Sequence, residues 1–244
     1  MIDTELLRTY AAEYGITVSD AACQKFDRYA ELLVDWNQRM NLTAITEPHD
    51  IVLKHFADSL TALTALPDRT GVSVIDVGTG AGFPGIPLAI VCDDIRLTLL
   101  DSLNKRLVFL KAVCDALGIS AQLIHSRAEE GGRNTKLREQ FDVVTARAVA
   151  AMPVLSEYCL PFVKVGGRFV AMKGPDSDAE LHAAKCAVDL LGGRMAEVRE
   201  MTLPHLSHDG VEQQERRLFI IDKIKPTPPR FPRQSAKISK EPLG

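Results

Sequence analysis

The chain has few of the features that mark secreted, membrane-spanning or metal-binding proteins. Its five cysteines are odd in number, lie far apart and include no CxxC pair, which argues against a disulfide framework and a cysteine zinc site. The N-terminal residues include acidic side chains and lack the apolar run of a signal peptide. The longest apolar stretch, roughly 86–92, is too short to cross a bilayer. We therefore predict a cytoplasmic protein with no membrane segment and no metal.

An excess of one charge is also missing. Lys and Arg number 29 against 32 Asp and Glu, which gives a net charge of −3. A nucleic-acid partner would therefore have to meet a local cluster of cations rather than a basic surface all round. The 244 residues, 46% of them hydrophobic, suit one α/β domain with an extension or two small domains, and we expect a monomer.

The rhythm of apolar residues divides the chain into three parts. Residues 1–70 show helical spacing and are predicted to form a small helical extension. In residues 71–224 short aliphatic runs alternate with helix-length segments, which predicts an α/β fold with a mostly parallel seven-stranded sheet and helices on both faces. Its last two strands, 195–203 and 217–224, should pair antiparallel at the sheet edge. The tail, 225–244, has four prolines in its first eight residues and is predicted to lack regular structure.

The most informative segment is VIDVGTGAGFPGIPLAI at 74–90. A strand that reads as fully buried leads into the glycine-rich run Gly78–Gly82, and a helix begins near Pro84. Glycines permit a tight turn and let the backbone approach a ligand with no Cβ in the way. The pattern predicts a nucleotide or nucleoside site at the carboxyl end of the first strand.

Two cofactors compete for this turn. The glycines at 80, 82 and 85 match the GxGxxG pattern of nicotinamide-dependent oxidoreductases, although that match alone is weak. The GxGxG run that starts at Gly78, preceded by Asp76, is typical of S-adenosylmethionine-dependent methyltransferases. Asp101, at the end of the next strand, suits either cofactor because a carboxylate there can hold both ribose hydroxyls. Asp76 favours the methyltransferase, since a carboxylate is unfavourable beside a pyrophosphate but tolerable near a sulfonium.

A family resemblance points the same way. The runs WNQRMNLTAI, HFADSL, VIDVGTGAGFPGIPLAI, LLDSLNKRLVFL, SRAEE, TARAVA and MKG occur in an order that resembles the RsmG family of bacterial ribosomal RNA methyltransferases, also called glucose-inhibited division protein B. The resemblance covers roughly residues 30–225. It implies a Rossmann-like methyltransferase domain that transfers a methyl group from S-adenosyl-L-methionine to N7 of a guanine in small-subunit (16S) ribosomal RNA, either free or in a ribosomal particle. A non-enzymatic ribosome-assembly factor with the same fold is the alternative outside enzymology.

The resemblance also implies site residues by their positions in these motifs. The cofactor contacts it implies are Gly78, Phe83, Ala128, Glu129 and Arg147. The physics of the turn and of the ribose adds Gly80 and Asp101. Candidates for positioning the acceptor are Arg147, Asn41 and Lys173.

No general base is expected, because N7 of guanine carries an in-plane lone pair and no proton. Catalysis then rests on holding donor and acceptor in line about 3–3.5 Å apart. Phe83 or Arg147 could offer the flat surface on which a splayed-out base stacks. His55 and Asp58 lie three apart on a predicted helix and can pair, but no nucleophile elbow accompanies them, so a hydrolase is not favoured.

Basic residues are concentrated near the C-terminus. The predicted RNA contacts are Arg216, Arg217, Arg230, Arg233 and Lys237, with a solubilising tail as the plainer alternative. The tail also departs from the family, whose RFPR run is often followed by a Gly- and Lys-rich stretch, whereas here QSAKISKEP follows. Removing 225–244 is expected to weaken RNA binding and to spare cofactor binding.

Overall fold

The computed structural model describes residues 1–68, 70–207 and 210–243. The strands are Ser73–Val77 (β1), Arg96–Asp101 (β2), Ala121–His125 (β3), Phe141–Arg147 (β4), Val163–Lys173 (β5), Gly193–Ser207 (β6) and Gly210–Lys223 (β7). They form one seven-stranded sheet in the order β3-β2-β1-β4-β5-β7-β6, and only β7 is antiparallel to its neighbours. The predicted Rossmann-like fold is confirmed. Within the described ranges, no helix has both the length and the apolar character to cross a membrane.

The central strands form because their residues are apolar on both faces. In β1 the last four residues are buried, and β4 is buried except at its last residue. Neighbouring side chains of β1 enter different cores, Val74 on one face of the sheet and Ile75 on the other. This two-sided burial is what a parallel sheet covered by helices requires.

Helices cover both faces. The helices after β1 are Gly85–Val91 (α5), Asn104–Leu117 (α6), Ala128–Gly131 (α7), Met152–Cys159 (α8), followed by the 3-10 turn Leu160–Phe162, and Asp178–Leu190 (α9). The N-terminal helices lie on the first face together with α5 and α6, and α8 and α9 lie on the second face.

The N-terminal region is helical, as predicted. It begins with Thr4–Glu13 (α1) and Asp20–Asn37 (α2), and α2 is capped by the Ser19 hydroxyl, which accepts from the Ala22 N–H at 3.2 Å. The second half of this region, from 48 to 65, is a succession of short turns rather than one continuous helix. These are Pro48–Asp50 (α3), the π-helical turn Ile51–Ala57, Asp58–Leu60 (α4) and the 3-10 turn Thr61–Ala65.

The last two strands form the predicted antiparallel pair at the sheet edge, but both are longer than expected. The residues added to the predicted strands, 204–207 and 210–216, are mostly polar, so the sequence did not indicate strands there. Met201 and Leu203 of β6 nevertheless bury their side chains in the core that the N-terminal helices share, and the Tyr14 hydroxyl donates to the carbonyl of Thr202. The hairpin therefore bridges the sheet edge and the N-terminal helices.

The prediction that the tail lacks regular structure is wrong. The helix Ser235–Lys240 (α10) follows an extended stretch, and Phe231 and Ile238 are almost fully buried. The prolines do not prevent the tail from packing against the domain, because an extended segment makes few hydrogen bonds through its own backbone N–H groups. Its carbonyls accept instead from the Arg138 side chain, which donates to Phe231 and Thr227.

Candidate active site

The glycine turn is the junction between β1 and the helix α5. The carbonyl of Leu100 in β2 accepts from the N–H groups of Gly78 at 2.8 Å and Thr79 at 3.2 Å. Gly78 and Gly80 have φ angles of +69° and +60°, a region that glycine enters without the steric cost other residues meet. The turn is thus held by the neighbouring strand, in a conformation that depends on its glycines.

The glycines of this turn differ in what surrounds them. A Cβ on Gly82 would lie 2.6 Å from the Tyr29 hydroxyl, and one on Gly85 would lie 2.6 Å from Leu99 Cδ2, so both glycines permit tight packing inside the protein. A Cβ on Gly80 would meet no protein atom nearer than 4.0 Å, which leaves an open crevice beside it. The later glycines of the GxGxxG match therefore serve packing, whereas Gly80 borders open space.

Asp76 has a different place from the one expected. Its carboxylate is fully buried and accepts from the Thr79 hydroxyl at 2.7 Å, the Gly85 N–H at 3.0 Å and the Thr145 hydroxyl at 3.1 Å. Burial raises the pKa of this carboxyl to about 6, while the three hydrogen bonds oppose the rise. Asp76 thus fixes the turn from inside rather than facing a sulfonium.

Asp101 and the residues after β3 lie at the same sheet edge as the turn. One oxygen of Asp101 accepts from the Gly80 N–H at 2.9 Å and the other accepts from the Leu103 N–H at 2.8 Å. Asp101 is also the register partner of His125, just before α7, which begins with the half-buried Ala128 and the buried Glu129. Two buried carboxylates therefore lie near the ends of adjacent strands, and that of Asp101 is bonded directly to the glycine turn.

Arg147 lies against the glycine turn and also lines the neighbouring cleft. It ends β4, and its guanidinium lies over the Phe83 ring, 4.9 Å from the centroid. The same ring stacks on His55 at 4.4 Å and is buried, so Phe83 offers no free surface for a substrate base. The next residue, Ala148, has φ +55°, an unusual value for a residue with a side chain.

A carboxylate from the N-terminal region organises two arginines. Asp58, nearly fully buried, accepts from Arg147 Nη1 at 2.6 Å with one oxygen and from Arg216 Nε at 3.0 Å with the other. Arg147 also donates to the Lys54 carbonyl at 3.0 Å. We call Asp58, Arg147 and Arg216 the Asp58 triad. Because one carboxylate lies between two guanidiniums, the triad has a net positive charge.

His55 is held neutral beside the triad. Because arginine only donates, the contact of Arg147 Nη2 with His55 Nδ1 at 3.3 Å makes Nδ1 an acceptor. The proton then sits on Nε2, which donates to the Thr43 hydroxyl at 2.8 Å. Burial, with help from the charge on Arg147, lowers the pKa of His55 to about 3. His55 therefore orients Arg147 and takes no part as a cation.

An open cleft of about 710 Å³ begins at Arg147 and runs along the carboxyl end of β5. Lys173 lines it, donating to the Ala150 carbonyl at 3.1 Å and pairing with Glu180 at 2.6 Å. Arg216 and Arg217 of the neighbouring strand β7 also line it, and Arg217 pairs with the exposed Asp178. Because Lys54, Lys173 and Arg217 have carboxylate partners, the Asp58 triad supplies the net positive charge of the wall, which the Asp176 carboxylate also lines.

The remaining predicted residues lie outside the crevice and the cleft. Asn41 is exposed on the loop after α2, and Arg230 and Lys237 are exposed on the tail. Arg233 faces inward, where it forms a two-pronged ion pair with the buried Glu157 at 2.7–3.1 Å. RNA contacts at these tail positions stay predictions, and Arg233 has a structural partner already.

Asp58 and Thr43 have roles in the site that were not predicted from the sequence. The i, i+3 spacing of His55 and Asp58 was visible, but their shared partner, Arg147, is about 90 positions away. The signal available in the sequence was the Asp58 carboxylate together with arginines that had no assigned partner. Only the fold shows which arginines it meets.

Solved structures confirm the fold. The precorrin-6y C5,15-methyltransferase from Geobacter metallireducens superposes with a TM-score of 0.52, covering 68% of this chain and 87% of its own, at 15% sequence identity. At that identity the likeness concerns the fold alone.

Sequence relatives establish the family. The chain is 45% identical to ribosomal RNA small subunit methyltransferase G of Lactobacillus johnsonii, over 99% of this chain and all of the relative. It is 47% identical to the protein of the same name from Clostridium perfringens strain 13, over 98% of each. A family model for GidB, rRNA small subunit methyltransferase G, matches residues 22–207. These matches favour neither the oxidoreductase nor the non-enzymatic alternative, and the chain belongs to the rRNA small subunit methyltransferase G family.

Proposed function

We propose that the protein transfers a methyl group from S-adenosyl-L-methionine to N7 of a guanine in 16S ribosomal RNA. One observation carries the proposal: Arg147, which lines the cleft, also lies over Phe83 of the glycine turn, so the cleft begins beside the open space at Gly80. A methyl donor in the crevice and a base in the cleft would then have their reacting atoms at this junction. The names of the relatives supply the class of RNA.

The residues around the crevice fit an adenosyl cofactor. Gly78 and Gly80 form its floor, and the absence of a Cβ at Gly80 leaves room for the adenosyl group. Asp101 and Glu129 provide acceptors for the ribose and the adenine, with Ala128 beside them. When bound, S-adenosylmethionine supplies a methyl group on a positively charged sulfur.

The turn and β4 provide the side nearer the acceptor. Phe83 supplies the backbone of the turn, where its N–H donates to the Thr79 carbonyl at 3.1 Å, and its ring supports Arg147 from below. We place Arg147 at the boundary between cofactor and substrate, where its guanidinium can hold an anionic group of either one.

The cleft suits a nucleotide that is splayed out of an RNA strand. Its positive wall at the Asp58 triad favours phosphate, and the Arg147 guanidinium gives a flat cation against which a base can stack. No side chain has to remove a proton from N7, and neutral His55, already bonded on both nitrogens, is not placed to do so. The chain's contribution is alignment, which can lower the barrier by several kcal/mol.

Residues outside the cleft extend the proposed RNA surface. Lys173, Arg216 and Arg217 line the cleft, and the exposed Arg230 and Lys237 add positive charge on the tail. The proposed substrate is free ribosomal RNA or a ribosomal particle, so we place the protein in the cytoplasm. We also expect it to act as a monomer. We keep the division into 1–70, 71–224 and 225–244 as a functional one, with helical extension, catalytic domain and tail.

A transfer assay tests the proposal. Purified protein is incubated with methyl-labelled S-adenosylmethionine and either free 16S RNA or small subunits, and the RNA is digested to nucleosides for mass analysis. The expected product is 7-methylguanosine at one position in at least one of the two substrates. Label at another atom would contradict the N7 assignment, and no label in either substrate would favour a non-enzymatic role. Binding of nicotinamide dinucleotide in place of S-adenosylmethionine would favour the oxidoreductase.

A further inference from the structure

The C-terminal segment is seated directly behind α7, the short turn that begins with Ala128 and Glu129. We propose that this segment, 226–243, is a brace that positions α7 for cofactor binding, with Arg138 as the main positioning residue. The inference rests on the proposed function, because it takes Ala128 and Glu129 as cofactor contacts. It replaces the expectation that removing the tail would spare cofactor binding.

The turn α7 is too short to hold its own position. It spans only Ala128–Gly131. Its backbone bonds are local: Gly131 N–H donates to the Arg127 carbonyl, Gly132 N–H to the Ala128 carbonyl, and the N–H groups of Arg133 and Asn134 to the Glu130 and Gly131 carbonyls. Isolated helical turns of this length are not stable in water. The position of α7 is therefore set by whatever packs on its two sides.

On its inner side α7 rests on the sheet. A Cβ added at Gly131 would lie 3.0 Å from Leu100 Cδ1 and 3.0 Å from Phe162 Cζ. The backbone of the turn is thus pressed against the end of β2 and the 3-10 turn after α8. There is no space for α7 to move inward.

On its outer side α7 meets the tail. A Cβ at Gly132, the residue that follows α7, would lie 3.1 Å from Pro232 Cγ. Arg133 Nε donates to the Pro232 carbonyl at 2.7 Å, so the chain after α7 is bonded to the tail as well as packed on it. Loss of the tail would open space behind the turn and remove this bond.

Arg138 joins the two segments at one side chain. Its Nη1 donates to the carbonyl of Gly132 at 3.0 Å and to that of Phe231 at 2.7 Å. Its Nη2 donates to the carbonyl of Thr227 at 2.6 Å and to that of Pro228 at 3.3 Å. A single guanidinium therefore fixes the residue after α7 relative to three carbonyls of the tail.

The tail is itself firmly anchored, so it can act as a brace. Glu157, fully buried in α8, accepts from the Arg233 backbone N–H at 2.7 Å and from its guanidinium. Phe231 and Ile238 fill apolar space, and Phe231 belongs to the same core as α8. These anchors are made to α8 and to the core of that face rather than to α7 itself, so they hold the tail independently of that turn.

Two variants test the brace. One deletes 226–244, and the milder one is Arg138→Met, which removes the four bonds but keeps the tail. The probe is S-adenosylhomocysteine, measured by calorimetry, together with hydrogen exchange of the peptide 127–138 in ligand-free protein. We expect the dissociation constant of Arg138→Met to rise about tenfold, a size typical of coupling between two sites. Exchange in 127–138 should become faster, and the KM for the cofactor should rise by more than kcat falls.

Leu7→Ala is the matched control, because Leu7 is fully buried in the core on the other face of the sheet. It should lower Tm while leaving affinity and exchange at 127–138 unchanged. Wild-type affinity in folded Arg138→Met, or an equal loss of affinity in Leu7→Ala, would overturn the brace. If the deletion does not fold, Arg138→Met decides the question. Failure of the wild-type protein to bind the probe would instead overturn the proposed function, and the brace with it.

Discussion

Asp58 and Arg147 are joined by a hydrogen-bonded ion pair of 2.6 Å, although they come from different parts of the chain. Asp58 belongs to the N-terminal helical region, and Arg147 ends a central strand of the sheet. The same carboxylate binds Arg216 at 3.0 Å, from the edge hairpin. The N-terminal helices therefore take part in the candidate site directly, by setting the positions of two cations.

Asp58→Ala should weaken both the fold and the reaction. Removing one partner of a buried ionic group leaves unpaired charge, and we expect a loss of about 3 kcal/mol in the free energy of unfolding, measured by chemical denaturation. Displacement of Arg147 should lower kcat by roughly ten- to a hundredfold. Asp50→Ala is the control, because its pair with Lys54 is partly exposed, and it should cost less than about 1 kcal/mol. Wild-type kcat in folded Asp58→Ala would contradict the role of the triad.

Gly80→Val should abolish cofactor binding while the protein stays folded. The Cβ enters the open crevice, and the positive φ costs about 1–2 kcal/mol. Gly118→Val is a matched control, since Gly118 has φ +64° and also meets no atom within 4 Å, but ends α6 away from the site. Calorimetry should show S-adenosylmethionine binding lost only at Gly80. Equal affinity in the two variants would sink the crevice assignment.

Gly78→Val is expected to lose the cofactor as well, with a larger effect on folding. A Cβ there lies 2.8 Å from Val149 Cγ2, so the Val149 side chain must shift. The same calorimetry, read beside Tm, should show both losses together. Unchanged affinity in the folded variant would remove Gly78 from the site.

Asp76 should give the protein a specific pH dependence. Its folded pKa of about 6 lies above the ordinary 3.8, so the folded state binds more protons between these values, and this group's contribution to stability falls as pH rises from about 4 to 6. The difference corresponds to about 3 kcal/mol. Asp76→Asn keeps the shape and removes the titration, so its stability relative to wild type should rise across that window.

His55 acts in the opposite direction. Its pKa of about 3 lies below the ordinary 6.5, so its contribution is present at neutral pH and is lost as pH falls from about 6.5 to 3. The wild-type curve mixes both groups, and the Asp76→Asn comparison by denaturation at several pH values isolates one. A constant difference between variant and wild type from pH 4 to 6 would contradict the raised pKa of Asp76.

The tail cations divide into two kinds. Arg230→Ala with Lys237→Ala should weaken RNA binding and reduce the slope of log affinity against log salt by about two, because both side chains are exposed. Arg233→Ala should act on stability instead, since it leaves Glu157 buried without its partner. Lys185→Ala, exposed on α9, is the control for nonspecific charge loss. An unchanged slope in the double variant would remove the tail from the RNA surface.

Much of the fold could be predicted because its signals are local. The short run Val74–Val77 predicts the buried strand β1, and the glycines that follow it predict the turn. Each signal lies within a few positions of the chain. The Asp58 triad could not be predicted, because its members lie at 58, 147 and 216 and meet only in the folded sheet. Likewise, the tail reads as polar and proline-rich, and nothing local shows that Arg138 binds its carbonyls.

The most direct test is mass mapping of modified bases in 16S ribosomal RNA from cells with this protein, cells without it, and cells carrying Gly80→Val. The proposed function predicts one guanine that carries an N7 methyl group only in the first. An identical pattern of methylated guanines in all three would contradict it.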